Sequence, residues 1–424
     1  MNETRTRTVA ALRRCAGLLG MMLVALAAPG VAGDKQPPGL AFRVAKVVAL
    51  DDNDTVINDA VVLVRDGKLE RVGSAGEVEI PKSYRVYEFP ERWLAPGLVE
   101  GHNHTAGGLF DLNDGVYLTN PGLNTRATIQ PQNDGAKEAR TGGVTTAMLI
   151  PGSGTNISGM GTVVKMGGKT PDEAIIRSPG SLKIAQAGNP ERWFIRSQRR
   201  FMNWNTRQTL QKALDYHEAW QAFESGSSKT KPAFNPIFDA WRGVFRHEVP
   251  VTLHTQIYQV VMTSIDMIAN KFKLWTVLDH CTFDGWKTAP LVLDTDAWAI
   301  NGPRQLFFDR SAARIIGNAD GWWKNGVHKL GINTDAPVVP EKQLSLQAAM
   351  ACWLGWLPYP ALRGVTAVPA KALGLYDRVG SIEKGKDADF GIWTGDPLDP
   401  RSSCLMTVID GNVVYDATKG QRRF

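Results

Sequence analysis

Short apolar runs separated by amphipathic segments recur through the middle of the chain. Runs rich in branched aliphatic residues predict strands at 98–104, 144–150, 163–166, 182–185, 249–254, 275–280, 297–300 and 327–333. Helical periodicity lies between most of them, most clearly at 135–141, 234–247, 258–273 and 344–353. Eight short strands alternating with helices predict an α/β fold of the (β/α)8 TIM-like barrel type. No Gly-x-Gly-x-x-Gly follows the first strand, which disfavours an open dinucleotide-binding sheet.

At both ends of the chain, apolar and polar residues alternate with the two-residue period that is typical of β-strands. In the first end, Asp66-Gly67 separates two apolar runs and is a strong hairpin signal. In the second, Asp410-Gly411-Asn412 has the same position between two runs. We therefore predict a small discontinuous β-sandwich domain from residues 40–94 and 379–424, around a barrel at 95–378.

The N-terminus has the pattern of an export signal. Four arginines precede an apolar run at 16–28, and Gly30-Val31-Ala32 offers small residues for cleavage. The run is shorter than the ~20 residues of a membrane span. We expect residues 1–32 to be a signal peptide, a periplasmic or secreted location, and no membrane association after cleavage. An uncleaved N-terminal anchor remains an alternative.

Composition and charge exclude some classes of function. The 424 residues are 43% hydrophobic and 21% charged, as in an ordinary globular enzyme. The net charge of +6 includes +3 from residues 1–32, which leaves +3, and no dense basic run argues for nucleic acid binding. Cys281, Cys352 and Cys404 fit no zinc-finger or disulfide framework, so we expect buried thiols.

Five residues that can bind a metal lie where the predicted barrel strands end. They are His102, His104, His254, His280 and Asp335. Strand ends converge on one rim of a barrel, and His102 and His104 share a strand face because side chains alternate. One histidine at a strand end is usually structural, but the conjunction predicts a metal site. Nitrogen and carboxylate ligands without thiolate favour Zn²⁺, with Mn²⁺, Fe²⁺ and Co²⁺ as alternatives.

The remaining histidines lack this placement. We interpret His217 and His247 as helix-surface residues and His328 as a strand-start residue. The loop at 152–156 follows the second barrel strand and either presents backbone N–H groups to a substrate or is a plain turn. Arg192 and Arg304 are candidates for setting specificity, with ordinary surface roles as the alternative.

At this point the residues amount to a family pattern. The chain resembles the amidohydrolase superfamily of metal-dependent hydrolases, and within it the exported imidazolonepropionase-like amidohydrolases. The motifs that carry the resemblance are Pro96-Gly97-Leu98-Val99-Glu100-Gly101-His102-Asn103-His104, Gly142-Gly143-Val144-Thr145-Thr146, Pro250-Val251-Thr252-Leu253-His254-Thr255, Thr334-Asp335-Ala336-Pro337 and Gly380-Ser381-Ile382-Glu383-Lys384-Gly385-Lys386-Asp387-Ala388-Asp389.

The resemblance implies a role for each residue of the predicted site. The four strand-end histidines would be metal ligands, and Asp335 would be both a ligand and the general acid/base. Lys183 looks like the family's carboxylated lysine that bridges two metals, with an ordinary salt-bridged lysine as the alternative and Lys165 as a weaker candidate. Relatives often carry Gly-Glu-Asn-Pro shortly after the lysine, but this chain has Ala187-Gly188-Asn189-Pro190. One or two metal ions, most simply zinc, therefore stay open.

The resemblance also implies the reaction. We expect an exported metal-dependent hydrolase that cleaves C–N bonds of small-molecule amides, cyclic amides or small peptides with metal-activated water. A mononuclear deaminase is one alternative, although such enzymes usually carry Glu three residues after the third histidine, where this chain has Ile257. A catalytically weak metal-binding paralogue is another. A homo-oligomer is compatible with the sequence.

Overall fold

The computed structural model describes residues 39–115, 117–186 and 197–419. The predicted signal peptide at 1–32, the segment at 187–190 and Arg192 lie outside these residues. None of the helices within the described ranges has the length and apolar character needed to cross a membrane.

Three sheets contain the strands of the described residues. In chain order the strands are β1 Leu40–Val48, β2 Val56–Arg65, β3 Lys68–Ser74, β4 Arg85–Pro96, β5 Leu98–Asn103, β6 Val144–Leu149, β7 Ile157–Lys165, β8 Ile175–Ala185, β9 Val251–His254, β10 Thr276–His280, β11 Trp298–Asn301, β12 Leu306–Asp309, β13 Arg314–Gly317, β14 Leu330–Ile332, β15 Phe390–Trp393, β16 Cys404–Ile409 and β17 Asn412–Asp416.

The central sheet has eight strands in the order β5-β6-β7-β8-β9-β10-β11-β14, and each corresponds to one of the eight predicted runs. Every residue of β6, β9 and β10 is buried, including the threonines, histidines and aspartate within them, as expected for parallel strands covered on both faces. At the open side of the sheet, Asn103 forms a parallel bridge to Ala336 and the His104 N–H donates to the Ala336 carbonyl at 2.9 Å. The sheet is therefore nearly closed, as in a TIM-like barrel.

One strand departs from the predicted all-parallel barrel. β7 runs antiparallel to both β6 and β8, whereas the neighbouring pairs β5–β6 and β8–β9 are parallel. Only residues 150–156 connect β6 to β7, and only residues 166–174 connect β7 to β8. A parallel crossover needs about a dozen residues or more, so these short connections force β7 to reverse direction. The strict (β/α)8 expectation is wrong at this position.

The two ends of the chain meet in one seven-stranded sheet, ordered β17-β16-β15-β4-β1-β2-β3. β2 and β3 form the predicted hairpin, in which Asp66 and Gly67 both have positive φ, as a type I′ turn requires. β15 pairs with β4 and so joins the C-terminal strands to the N-terminal ones. The sandwich arrangement and the domain boundaries stay predictions.

Helices cover the outside of the barrel sheet. They are α1 Asp134–Thr141, α2 Pro171–Ala174, α3 Arg199–Glu224, α4 Pro236–Asp239, α5 Arg242–Phe245, α6 Tyr258–Ser264, α7 Ala289–Leu293, α8 Asn318–Lys324, α9 Leu344–Trp353, α10 Pro358–Arg363 and α11 Ala367–Ala372. A π-helix at Ile265–Lys271 continues α6. The helix expected at 234–247 is instead two single turns, α4 and α5.

A buried ion cluster joins the barrel to the terminal sheet. Lys165, at the end of β7, lies 2.6 Å from Asp389, 2.9 Å from Asp387 and 3.0 Å from Asp410, measured from Nζ to a carboxylate oxygen. Only 3% of the Lys165 side chain is exposed. Lys165 thus neutralises carboxylates at the base of the barrel, and its weaker candidacy as the bridging lysine is wrong.

Replacing Lys165 should destabilise the fold strongly. Lys165→Met leaves three carboxylates close together with one fewer cation, so we expect the free energy of unfolding to fall by about 3–5 kcal/mol. Urea unfolding followed by circular dichroism measures this change. The nearby exposed Lys169 is the matched control, and Lys169→Met should change stability by less than about 0.5 kcal/mol. Equal effects of the two substitutions would contradict the structural role of the cluster.

Candidate metal centre

The strand-end residues predicted from the sequence lie at one edge of the barrel sheet. His102 is the penultimate residue of β5, and His104 follows that strand directly. His254 and His280 are the final residues of β9 and β10, and Asp335 lies three residues beyond β14. The carboxyl ends of parallel strands share one rim, which is where active sites of this fold occur.

Their side chains contact one another. The imidazole centroids of His102 and His280 are 4.5 Å apart, as are those of His254 and His280, and those of His102 and His104 are 5.1 Å apart. Ligand atoms of His102, His280 and Asp335 all lie within 4.8 Å of one another. The structure therefore brings all five residues together, while their role as metal ligands stays a prediction.

The backbone is strained where two of these side chains begin. His280, Cys281 and Asp335 have φ values of 68°, 49° and 48°, in the left-handed region that non-glycine residues rarely adopt. Such conformations persist only where surrounding contacts hold them, and they concentrate at functional sites. Here the Asn301 side-chain amide donates to the carbonyls of His280 and Cys281 at 2.8 and 3.3 Å. The turn after β10 is thus fixed from the neighbouring strand.

Backbone carbonyls determine which nitrogen of two imidazoles carries the proton. Nδ1 of His104 lies 2.8 Å from the Ile150 carbonyl, and Nδ1 of His280 lies 2.9 Å from the Gly302 carbonyl. A carbonyl only accepts, so Nδ1 of each ring must donate, and Nε2 of the neutral ring is left with a lone pair. This arrangement is typical of metal-binding histidines.

The lone pairs meet a carboxylate. Oδ1 of Asp335 lies 3.3 Å from Nε2 of His104 and 3.3 Å from Nε2 of His102. Two acceptors at this distance repel unless a proton or a cation lies between them. Burial lowers the pKa of His104, which disfavours an extra proton on that ring. Burial also acts to lower the pKa of His102, but Asp279 and Asp335 outweigh it and raise this pKa. The donor set therefore fits a divalent cation with nitrogen and carboxylate ligands.

Two further nitrogens lack partners. Nε2 of His254 and Nε2 of His280 are buried and have no hydrogen-bond partner in the part of the chain that the structure describes. The Nδ1 atom of His254 lies 2.8 Å from the Ser153 hydroxyl. Buried polar atoms without partners are costly, and a bound metal would compensate for both.

Burial and neighbouring charges set the protonation of the centre. Burial lowers the pKa of His280 to about 4 and that of His254 well below its ordinary value. Burial acts to raise the pKa of Asp335, but the imidazoles of His280, His102 and His104 outweigh it and hold this pKa far below the usual range. Neutral imidazoles at His254 and His280 beside an ionised Asp335 are in the protonation state that binds metal.

Lys183 points into the same space from β8. Its Nζ lies 3.4 Å from Nε2 of His102 and 3.6 Å from Oδ2 of Asp279, and its side chain is fully buried. Burial lowers the pKa of Lys183, against the opposing effects of Asp279 and Asp335. Lys183 is therefore placed where the resemblance expects the bridging lysine, but its carboxylation stays a prediction.

Three buried carboxyl groups behind the centre were not predicted as site residues from the sequence. Glu100 accepts from the Thr334 N–H and hydroxyl at 2.9 and 2.6 Å and so ties β5 to the turn that carries Asp335. Glu341 accepts from the Asn103 amide at 3.3 Å and the Thr105 hydroxyl at 2.6 Å. Asp279 lies 2.8 Å from Nδ1 of His102. The acidic residues Glu100 and Asp279 lie inside otherwise apolar runs, and this feature of the sequence could have indicated buried functional carboxyl groups.

Other predicted candidates have the following positions. The loop at 152–156 is held to β8, because Asn156 donates to the Ala185 carbonyl at 2.8 Å, and its Ser153 contacts His254. Arg304 is exposed, with its guanidinium 4.9 Å from the Phe283 ring centroid. His217 is buried, so its interpretation as a surface residue is wrong.

Comparison with known proteins agrees with this geometry. The profile of the Amidohydro_3 amidohydrolase family matches residues 358–415. The imidazolonepropionase of Pseudomonas entomophila is 24% identical, over 80% of this chain and 88% of its own length. Amidohydrolase tasK of Hapsidospora irregularis is also 24% identical, and the match includes 84% of this chain. The same match includes only 40% of the length of tasK.

A solved structure extends the likeness to the fold. An amidohydrolase from Thermotoga maritima MSB8 superposes with a TM-score of 0.79 and 28% identity, and the match covers 89% of this chain and all of that chain. The resemblance to the amidohydrolase superfamily, including imidazolonepropionases, is confirmed.

The buried Glu341 should make stability depend on pH. Burial raises its pKa to about 7, above the ordinary value near 4.5, so the folded state binds the proton more tightly and loses stability as the pH rises between these values. Glu341→Gln removes this titration. We expect its free energy of unfolding, relative to the unmodified chain, to increase by about 2–3 kcal/mol between pH 5 and pH 8.

Chemical unfolding at the two pH values checks this expectation. The exposed Glu218 on α3 is the control, and Glu218→Gln should shift stability equally at both. A Glu341→Gln variant whose free energy of unfolding, relative to the unmodified chain, decreases from pH 5 to pH 8 would refute the raised pKa of Glu341.

Proposed function

We propose that the chain is a metal-dependent hydrolase that cleaves C–N bonds. The observation that carries the proposal is the convergence of Nε2 of His102 and Nε2 of His104 on Oδ1 of Asp335, at 3.3 Å each. His280 and His254 add two unpartnered buried nitrogens to the same rim. The names of the relatives, amidohydrolase and imidazolonepropionase, support the class of reaction.

Each residue of the centre has a role in the proposed hydrolysis. His102, His104, His254, His280 and Asp335 would hold the cation, and Lys183 would hold a second one if it is carboxylated. A divalent cation supplies polarisation of the scissile carbonyl and a lowered pKa for water. Asp335 accepts a proton from the attacking water at a carboxylate oxygen and passes it to the leaving nitrogen. Nitrogen and carboxylate ligands without thiolate favour zinc as the cation.

The substrate and the location are part of the proposal. We infer a small molecule with an amide, a cyclic amide or a short peptide bond, and the names of the relatives, amidohydrolase and imidazolonepropionase, support this class. The basic and apolar pattern of residues 1–32 supports export to the periplasm or the medium.

Activity on a substrate panel tests the reaction. Zinc-loaded protein should hydrolyse at least one member of a set of N-acyl amino acids, dipeptides and lactams. Asp335→Asn should lower kcat by about 10²–10⁴-fold because it removes the proton acceptor. His328→Ala, at an exposed histidine, is the control and should retain activity. A fully metal-loaded protein without turnover on any substrate would argue against the proposal.

Metal content tests the number of ions. We expect the unmodified chain to bind two equivalents if Lys183 is carboxylated, and Lys183→Ala then to retain one. Mass spectrometry of the intact protein detects the added carboxyl group under native conditions. One equivalent in both proteins, without the mass increase, would establish a mononuclear centre and remove Lys183 from the ligand set.

A further inference from the structure

The carboxylate of Asp279 is buried between two residues of the centre. Its Oδ2 lies 2.8 Å from Nδ1 of His102 and 3.6 Å from Nζ of Lys183, and all three side chains are fully buried. Within residues 39–115, 117–186 and 197–419, neither carboxylate oxygen of Asp279 nor Nδ1 of His102 has a hydrogen bond of good alignment, so their 2.8 Å contact is a close ionic approach. The charge of Asp279 therefore lies closest to His102 and Lys183, and it also acts on His280.

Strand alternation alone would not place Asp279 here. Adjacent residues of a strand point to opposite faces, so Asp279 and His280 should diverge. Both nevertheless approach His102, since the His280 ring centroid is 4.5 Å from that of His102. The left-handed φ of 68° at His280 changes the direction of the chain at the strand end. The strained turn thus lets one short segment supply an imidazole and a carboxylate.

The partner of His102 differs from those of the other imidazoles. Carbonyls accept from His104 and His280, and a hydroxyl contacts His254. A carboxylate is a stronger acceptor than either and holds the facing N–H more firmly. Carboxylates that face the second nitrogen of a metal-binding histidine fix the orientation of the ring and raise its basicity.

We propose that Asp279 is a positioning residue for the centre. It holds His102 with Nδ1–H toward its carboxylate, so that Nε2 faces Asp335, and it keeps Nζ of Lys183 beside the same ring. The inference rests on the proposed function, because it assigns His102 to metal binding. It adds a charged residue to the centre that does not itself touch the metal.

Metal affinity of purified variants tests the proposal. Competition for Zn²⁺ with a chromophoric chelator should show 10–100-fold weaker binding by Asp279→Leu, which removes both interactions, as is usual when such a partner is lost. Asp279→Asn keeps one acceptor oxygen and should have intermediate affinity. Asp320, a buried carboxylate paired with Lys324 at 2.7 Å on α8, is the matched control, and Asp320→Leu should leave zinc affinity unchanged.

A second measurement is independent of metal and of activity. In metal-free protein labelled with ¹⁵N-histidine, the Nδ1–H signal of His102, assigned by its loss in His102→Asn, should be present in the unmodified chain and in Asp279→Asn. It should be lost or shifted to the other nitrogen in Asp279→Leu. If Asp279→Leu fails to fold, Asp279→Asn carries the zinc measurement.

Two results would overturn the inference. One is zinc affinity in both Asp279 variants equal to that of the unmodified chain, with only thermal stability changed. The other is an unmodified chain in which Nε2 of His102 carries the proton. Absence of zinc binding by the unmodified chain would instead refute the proposed function, while the nitrogen signal would still decide the orientation of His102.

Discussion

Nε2 of His102 and Nε2 of His104 each lie 3.3 Å from Oδ1 of Asp335, a closeness that requires positive charge between these atoms, and this constraint governs the centre. The carbonyls of Ile150 and Gly302 fix the protons of His104 and His280 on the outer nitrogens. Nε2 of each of these two rings therefore keeps a lone pair that can bind a cation. Burial lowers the pKa of His104, His254 and His280, so a metal ion satisfies the inner nitrogens of these three rings better than an additional proton does. The need for that cation connects the geometry to the proposed hydrolysis.

A second layer of buried carboxyl groups supports this arrangement. Glu100 links the first barrel strand to the turn that carries Asp335, Glu341 holds the residues around His104, and Asp279 faces His102. Each is costly to bury, and each has hydrogen-bond or ionic partners on an element distant in the chain. Their contacts explain how residues separated by more than 200 positions keep a common geometry. Lys165 and its aspartates have a comparable role at the opposite end of the barrel.

Local pattern was a good guide to the strands and a poor one to their direction. All eight barrel strands overlap predicted apolar runs, because buried strands are rich in apolar residues, although β7 and β8 begin six and seven residues before the predicted runs at 163–166 and 182–185. The reversal of β7 depends on the length of its connections rather than on its own composition. Likewise Lys165 and Lys183 both occur in apolar strands, and only the antiparallel course of β7 carries Lys165 to the far end. Residue 217 was misjudged because α3 packs against α5, a contact that periodicity does not reveal.

The order of residue types along the chain specifies the chemistry available to the centre: four imidazoles and one carboxylate, each at the end of an apolar run, in motifs that resemble amidohydrolases. It also determined the hairpin at Asp66-Gly67, because backbone preference is a property of those two residues. Packing of the strands sets which nitrogens face inward, which lysine reaches the histidines, and that Asp279 joins them. These outcomes depend on strand register and on the left-handed turn at His280, and distances between strands arise only when the sheet curves and its edges meet.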